Sequence, residues 1–406
     1  MKNKVNYQEA QDLILSNAAC VGTERISLEN SFRRILAEDL IAAENVPAFD
    51  RSPYDGFAFR AVDTKGVSKE HTVTLRIVEE IAAGDVSHIP VTEGTAVRLM
   101  TGAPIPVGAD AVCKFEDTLF TESEVTISSP AEPGENIIRT GEDVRAGSVL
   151  AEAGSRIDTG ILGMLAAQRV VKPLVYRMPA VGVLSTGSEL LEPEEAPEPG
   201  KICNTNRYTI SAALEECGCR PIYLGISGDD PEMIAKAVRE AFYTQQCDAL
   251  VMTGGVSVGK YDYTMQAMEL AGAKILFNGV KMKPGMACTY GVLDGKLIAG
   301  LSGNPASSLT NFHAVAAPAF RKLCGQRNFG PVMIKVKLLD TFRKKSPGTR
   351  FLRGTLDLSE GEAGIWLSAD QGNIILRSMA GSNVMAVVPA GSGPLEAGTI
   401  LDAFLL

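Results

Sequence analysis

The sequence predicts a multidomain protein of the α/β plus β class. A central, doubly wound and mostly parallel α/β domain is joined by an inserted small β domain and a C-terminal β-barrel-like domain. Three observations carry this expectation. From residue 178 onward, short apolar runs alternate with helical patterns, as in a parallel sheet covered by helices. Residues 72–145 and 330–406 instead alternate apolar and polar positions between closely spaced turn residues. Finally, 406 residues exceed one ordinary core, and 45% hydrophobic with 21% charged residues describes a folded chain.

Composition also narrows the function. A net charge of −9 argues against a general nucleic-acid binder, which needs a basic surface to neutralise phosphates. It leaves room for an anionic small ligand wherever basic residues gather locally. The opening residues, Met1-Lys-Asn-Lys-Val-Asn-Tyr-Gln-Glu9, lack the apolar stretch of a secretion signal, and no apolar run is long enough to span a bilayer. The expectation is a cytoplasmic protein with no membrane partner. Eight cysteines are scattered, with only Cys217 and Cys219 close together, and there are three histidines; zinc and iron–sulfur sites are not supported.

Residues 5–46 read as mainly helical and extended in turn. Ala10, Leu13 and Ile14 share a helix face, Arg25-Ile-Ser-Leu28 suits a strand, and Phe32 to Leu40 forms an amphipathic element. Residues 147–177 return to an Ala/Leu-rich helical pattern, so 1–46 and 147–177 are expected to form one elongated domain, interrupted by a small β domain at 47–146. The α/β domain covers 178–327 and the last β domain 328–406.

Within the α/β domain, Ala180-Val-Gly-Val-Leu184 is a buried strand ending in Ser185-Thr-Gly-Ser-Glu189. Asn204 or Asn206 caps a helix that stops at Gly218, and Pro221-Ile-Tyr-Leu-Gly225 is the next strand. Asp229-Asp-Pro231 starts a helix whose buried face is Ile234, Ala237, Val238, Ala241 and Phe242. The central strand, Asp248-Ala-Leu-Val-Met252, runs into Thr253-Gly-Gly-Val-Ser-Val-Gly-Lys-Tyr-Asp-Tyr263 and a further helix. Strand, Gly-rich loop, helix is an arrangement whose backbone N–H groups cradle anions. Lys281-Met-Lys-Pro-Gly285 follows another strand. Ser302-Gly-Asn-Pro305 ends the last one and opens a long helix to Leu323. In the C-terminal region, strands are expected at 333–338, 374–376 and 384–388.

The polar residues of this domain therefore collect at strand ends, where ligands of doubly wound sheets lie. They are Ser185, Thr186, Gly187, Ser188 and Glu189; Asp229 and Asp230; Thr253, Gly254, Gly255, Ser257 and Asp262; Lys281, Lys283 and Gly285; and Ser302, Gly303, Asn304 and Pro305. Backbone donors and lysines suit phosphates. Carboxylates from several loops repel one another without a cation, and all-oxygen ligands favour Mg²⁺. Phosphate, Mg²⁺ and a doubly wound sheet together suggest phosphoryl or phosphoanhydride chemistry. No histidine lies in a candidate loop, so histidine base catalysis is not expected.

The 253–263 loop resembles the signature of the molybdopterin molybdenumtransferase (MoeA) family, to which the gephyrin E domain belongs. So do Tyr54-Asp-Gly-Phe-Ala58, Thr101-Gly-Ala-Pro-Ile-Pro106, Arg139-Thr-Gly-Glu-Asp143, Ser185-Thr-Gly-Ser-Glu-Leu190 and Ser302-Gly-Asn-Pro305, in the family's order. The resemblance implies a molybdopterin-binding α/β domain, a four-part protomer and a homodimer. It also implies insertion of molybdate into adenylylated molybdopterin with Mg²⁺-dependent release of AMP. Read onto this chain, the family's functional positions are Asp55, Thr101, Asp143, Glu189, Asp229 or Asp230, Asp262, Lys283, Pro305, Arg353 and Ser378. Glu189 and Asp262 would hold Mg²⁺, and Lys283 would offset phosphate charge. Arg353 with Ser378 or Lys283 would bind the oxyanion, and Asp55, Thr101 and Asp143 would complete the cleft from the partner subunit. Contacts with a molybdopterin adenylyltransferase and with molybdoenzyme maturation proteins are also implied.

Two positions depart from the family pattern: Met286 and Gly279 stand where many members carry lysine. Lys281 supplies a charge nearby, and strand alternation is expected to point it differently. Two other readings stand beside the transferase. One is a molybdopterin adenylyltransferase, which shares the 178–325 type of domain; the other is a non-catalytic pterin-binding or scaffold protein.

Overall fold

The structure, a computed structural model, describes residues 2–256, 263–359 and 361–406. The chain forms two compact units. One comprises Met1–Glu38, Ala153–Asp158 and Lys172–Leu406; the other comprises Asp39–Glu152 and Thr159–Val171.

The first unit is built on a seven-stranded sheet. Its strands are β1 (Lys2–Val5), β2 (Ala180–Thr186), β3 (Arg220–Ser227), β4 (Ala249–Thr253), β5 (Lys274–Val280), β6 (Cys288–Leu293) and β7 (Lys296–Leu301), in the order β1-β5-β6-β7-β4-β2-β3. β3, β2, β4 and β7 are mutually parallel, β6 alone runs against its neighbours, and β1 is parallel to β5. Every residue of β2 and β4 is buried, which is why both read as continuous apolar runs rather than alternating ones. Chain order passes from β2 outward to β3 and then back across β2 to β4. The sheet's topological switch point is therefore at the carboxyl ends of β2 and β4.

Helices cover both faces: α1 (Tyr7–Leu15), α2 (Thr205–Glu216), α3 (Pro231–Tyr243), α4 (Tyr263–Leu270) and α5 (Pro305–Asn311). Asn204, not Asn206, caps α2, its side chain accepting the Arg207 N–H at 3.3 Å. Asp230 caps α3 by accepting the Glu232 N–H at 2.9 Å, ahead of Pro231 at the first helical position. The expected long helix to Leu323 is interrupted: Phe312–Ala316 forms a π-turn between α5 and Ala317–Leu323. Pro318 explains it, since a proline lacks the N–H for a regular turn and its ring crowds the carbonyl four residues back.

The amino-terminal residues are divided between the units. Lys2–Val5 pairs with β5 through Lys2↔Phe277 and Val5↔Val280, and Tyr7, Ala10 and Ile14 of α1 join the sheet's core. The expected strand near 25–28 is Thr23–Arg25, paired with Leu174–Tyr176; Leu28–Asn30 is a 3₁₀ turn. No regular helix spans 32–40. Arg33 takes φ 66°, and Ile35 and Leu36 make isolated bridges to Arg156 and Val175.

The same unit carries the C-terminal strands β8 (Met333–Leu338), β9 (Thr349–Asp357), β10 (Gly364–Leu367), β11 (Val384–Val388) and β12 (Ile400–Leu405). Their order is β9-β10-β8-β12-β11, and β11 pairs back onto β9, closing a five-stranded barrel around Val336, Leu352, Ile365 and Ala403. The strand expected at 374–376 is absent; Leu376–Ser378 is a 3₁₀ turn.

The second unit holds a six-stranded sheet in the order 111–114, 56–59, 95–99, 73–81, 124–127, 118–120. Phe57, Phe59, Leu75 and Val125 are in one of its cores, and the helix Thr159–Ala167 belongs to it. No helix among the described residues is long and apolar enough to cross a membrane.

Candidate functional site

Parallel strands bring their carboxyl ends, and the loops after them, to one edge of the sheet. Here that edge is tightly stitched. Gly254 has φ 100°, and a Cβ there would lie 2.1 Å from the Thr186 carbonyl oxygen. Only glycine allows the ends of β2 and β4 to approach this closely. The Gly254 N–H donates to the Leu301 carbonyl at 3.0 Å, the Thr186 hydroxyl to the Thr253 carbonyl at 3.3 Å, and the Thr264 hydroxyl to the Gly254 carbonyl at 2.8 Å. Gly255, at φ 63°, faces the Thr186 and Thr264 hydroxyls. Ser257 and Asp262 lie outside the described residues.

The flanking loops are held in turn. The Ser185 hydroxyl donates to Asn204 Oδ1 at 3.0 Å, and Asn206 Nδ2 to the Gly303 carbonyl at 2.9 Å. The Gly187 N–H donates to the Ser227 carbonyl at 3.0 Å. Asp229 accepts the Ser188 N–H (3.1 Å) and hydroxyl (2.8 Å), so it ties two loops together while Asp230 caps α3. The exposed Glu189 carboxylate folds against Gly187, 2.4 Å from where a Cβ of that residue would sit. The Asn304 N–H bonds Ser302 Oγ at 3.2 Å, ahead of Pro305 at the start of α5. Among the described residues, no three His, Cys, Asp or Glu side chains converge as a metal site.

Beside these loops is a cavity of about 580 Å³. It is lined by Asn6, by 281–287, by Ser302, Asn304 and Ser307, and from the C-terminal barrel by 347–350, Asn373 and Ala390. Among the described residues of its lining, Lys281, Lys283 and Arg350 are charged and none is Asp or Glu. Gly285, at φ 93°, packs its α-carbon against Ser307 and Asn311, and Asn311 Nδ2 donates to its carbonyl at 2.7 Å. The expectation that Lys281 points elsewhere is corrected: it lines the same cavity as Lys283 and the half-exposed Met286. Exposed Lys281 and Lys283 flank buried Met282, and residues two apart share a face.

Arg353 is fully buried and lies outside this lining. Its Nη2 donates to the Gly372 carbonyl at 3.2 Å, while Nε and Nη1 have no hydrogen-bond partner among the described residues. Burial pulls its pKa down to about 10, with the Asp370 charge opposing that shift. The buried Ser378 hydroxyl donates to the Ile375 carbonyl at 2.5 Å. Ser368 links the two residues, its N–H bonding the Arg353 carbonyl and its hydroxyl the Ser378 carbonyl.

In the second unit, Asp55 accepts the Thr101 N–H at 2.7 Å and the Thr101 hydroxyl at 2.8 Å. Those two bonds, backbone first, hold its carboxyl below the ordinary range. Asp143 is exposed on the same unit, its N–H bonded to the Val46 carbonyl at 3.0 Å. Sequence reasoning missed Asn6, Asn373 and the cavity role of Arg350. Cationic Arg350 was visible as a residue, but its neighbours come from long-range pairing.

Compared with known proteins, the chain is 37% identical over 404 residues to a molybdopterin molybdenumtransferase of Staphylococcus aureus (strain COL), covering all of this chain and 96% of that one. The chain belongs to the molybdopterin molybdenumtransferase (MoeA) family. Residues 5–168 match "MoeA N-terminal region (domain I and II)", 182–322 "Probable molybdopterin binding domain" and 335–406 "MoeA C-terminal region (domain IV)". A Staphylococcus epidermidis family member shows the same 37% identity and coverage. The crystal structure of a molybdopterin biosynthesis moeA protein from Pyrococcus horikoshii OT3 superposes with a TM-score of 0.86 at 31% identity, covering 99% of this chain and 100% of that one.

Proposed function

We propose that this chain is a molybdopterin molybdenumtransferase of molybdenum cofactor biosynthesis, which inserts molybdate into adenylylated molybdopterin and releases AMP. The observation that carries the reading is the cavity at the carboxyl ends of the strands, with Lys281 and Lys283 in its wall and no acid among its described lining residues. Such a cavity suits anionic groups, and both substrates are anions. The backbone around Gly254 and Gly255 and the loop 302–305 would position the pterin and its phosphates, and Lys283 would offset their charge. Arg353, with two guanidinium nitrogens unpartnered among the described residues, has the donor chemistry for an oxyanion, with Ser378 nearby.

Mg²⁺ takes one or two protein carboxylates together with phosphate oxygens and waters. Exposed Glu189 fits that donor set, and Glu189 with Asp262 would hold the ion, Asp229 and Asp230 contributing from the next loop. Bound there, it would neutralise charge developing on the phosphoanhydride. In the expected homodimer, Asp55, Thr101 and Asp143 of the partner subunit would complete the cleft. A cytoplasmic location fits this role.

The test is AMP release from adenylylated molybdopterin with Mg²⁺, with and without molybdate. Molybdate-dependent release is expected. Pterin binding without AMP release would overturn the catalytic reading. Asp262→Asn should abolish turnover and leave the melting temperature unchanged; retained turnover would remove Asp262 from the reaction.

A further inference from the structure

Arg350 is a cation that the transferase reading leaves without a task. Its setting begins with strand register. Lys283 and Arg350 are partners in a parallel ladder between Met282–Lys283 and β9, so their side chains leave the sheet on one face, and Lys281 shares it. Like charges placed side by side in this way destabilise a sheet unless something neutralises them. Among the described residues, the cavity lining offers no carboxylate.

Arg350 is also only 6% exposed. Its Nε donates to Ser346 Oγ at 3.0 Å and its Nη2 to the Lys345 carbonyl at 3.1 Å, with the guanidinium carbon 5.3 Å from the centre of the Phe342 ring. These contacts fix the guanidinium plane and are all to neutral groups. Nη1 makes no hydrogen bond among the described residues, and no carboxylate pairs with Arg350. Burial lowers its pKa. Arg353 stands three residues along β9 and so projects from the opposite face, outside this cavity. The two arginines therefore serve different places.

We infer that Arg350, with Lys281 beside it, is a binding residue for a tetrahedral oxyanion in this cavity, a subsite separate from Arg353. The choice of anions rests on the transferase reading: free molybdate, or a phosphate group of the pterin substrate, presents the same oxygens to a guanidinium.

Isothermal titration of the full chain with sodium molybdate, and separately with inorganic phosphate, tests this in wild type, Arg350→Gln, Arg350→Lys and Lys281→Gln. Loss of one charge-assisted hydrogen bond predicts affinity weakened by about tenfold to a hundredfold in Arg350→Gln. Arg350→Lys should recover part of that loss. The dependence of affinity on salt should also flatten, which a purely structural residue would not cause. Loss confined to molybdate identifies the metal oxyanion, and loss confined to phosphate identifies the substrate's phosphate; either supports the subsite. An Arg350→Gln protein that binds both anions as tightly as wild type overturns it. Should Arg350→Gln fail to fold, unchanged affinity in Lys281→Gln overturns it instead. Wild type that binds neither anion also overturns the subsite, and AMP release then reports separately on the transferase.

Discussion

Replacing Gly254 with alanine asks whether the ends of β2 and β4 must touch. The native φ is 100°, and the added Cβ would sit 2.1 Å from the Thr186 carbonyl oxygen and 2.8 Å from its Oγ1, where ordinary contact begins near 3.4 Å. Left-handed backbone costs an L-residue about 1–2 kcal/mol. No side-chain rotation relieves a clash with a carbonyl, so the peptide must move. That movement breaks the Gly254 N–H bond to the Leu301 carbonyl, now 3.0 Å, and strains the 3.3 Å bond between the Thr186 hydroxyl and the Thr253 carbonyl. Each is worth about 1 kcal/mol. The total is about 2–4 kcal/mol, or a fall in melting temperature of roughly 4–16 °C at about 2–4 °C per kcal/mol. Scanning calorimetry of the full chain measures it. Gly228→Ala is the control, because a Cβ there meets nothing within 4 Å. A Gly254→Ala protein that melts with wild type and turns over normally would refute the argument that this close approach shapes the site.

Three further outcomes follow from the same geometry. Lys283→Gln should raise the KM for adenylylated molybdopterin about tenfold with a smaller change in kcat; an unchanged KM would remove Lys283 from phosphate binding. Folding pulls the Arg353 pKa down to about 10, so its charged form is destabilising below that pH, and the penalty fades as pH rises from there toward the ordinary arginine value. Arg353→Met should therefore melt at or above wild type near pH 7, while losing any melting-temperature rise that molybdate gives wild type; a retained rise would exclude Arg353 from oxyanion binding. Thr101→Val keeps the backbone donor to Asp55 and removes the hydroxyl, so the Asp55 midpoint, followed by carbon NMR, should rise toward the ordinary range. Stabilisation from that pair is present above the ordinary carboxylate range and is lost as pH falls through the folded midpoint. A stationary midpoint would mean that the hydroxyl contributes nothing.

Much of the architecture is legible in the residue order because it is local. Ala249–Thr253 is a short apolar run because both faces of the strand are covered. Asp230 followed by Pro231 marks a helix start because the cap and the first-turn proline act within one turn. The ordered motifs identify the family for the same reason: each is a loop whose glycines and hydroxyls answer to nearby backbone demands. Where local signals conflict with distant packing, the reading fails. Phe32–Leu40 reads as an amphipathic element of no stated type, and its form is set from afar: Ile35 and Leu36 bridge to Arg156 and Val175, more than a hundred residues away.

The sequence by itself determined which elements form, that parallel strands gather their loops at one edge, and that lysines, glycines and hydroxyls would meet there. Periodicity, capping and turn chemistry act over a few residues, so composition and spacing express them. Tertiary structure alone decided the pairing of Lys283 with Arg350, the shared cavity of Lys281 and Lys283, and the burial of Arg353 on the other face of the same strand. Those depend on the register between the two-residue strand at 282–283 and the strand at 349–357, and register is set by the packing of whole domains rather than by either segment.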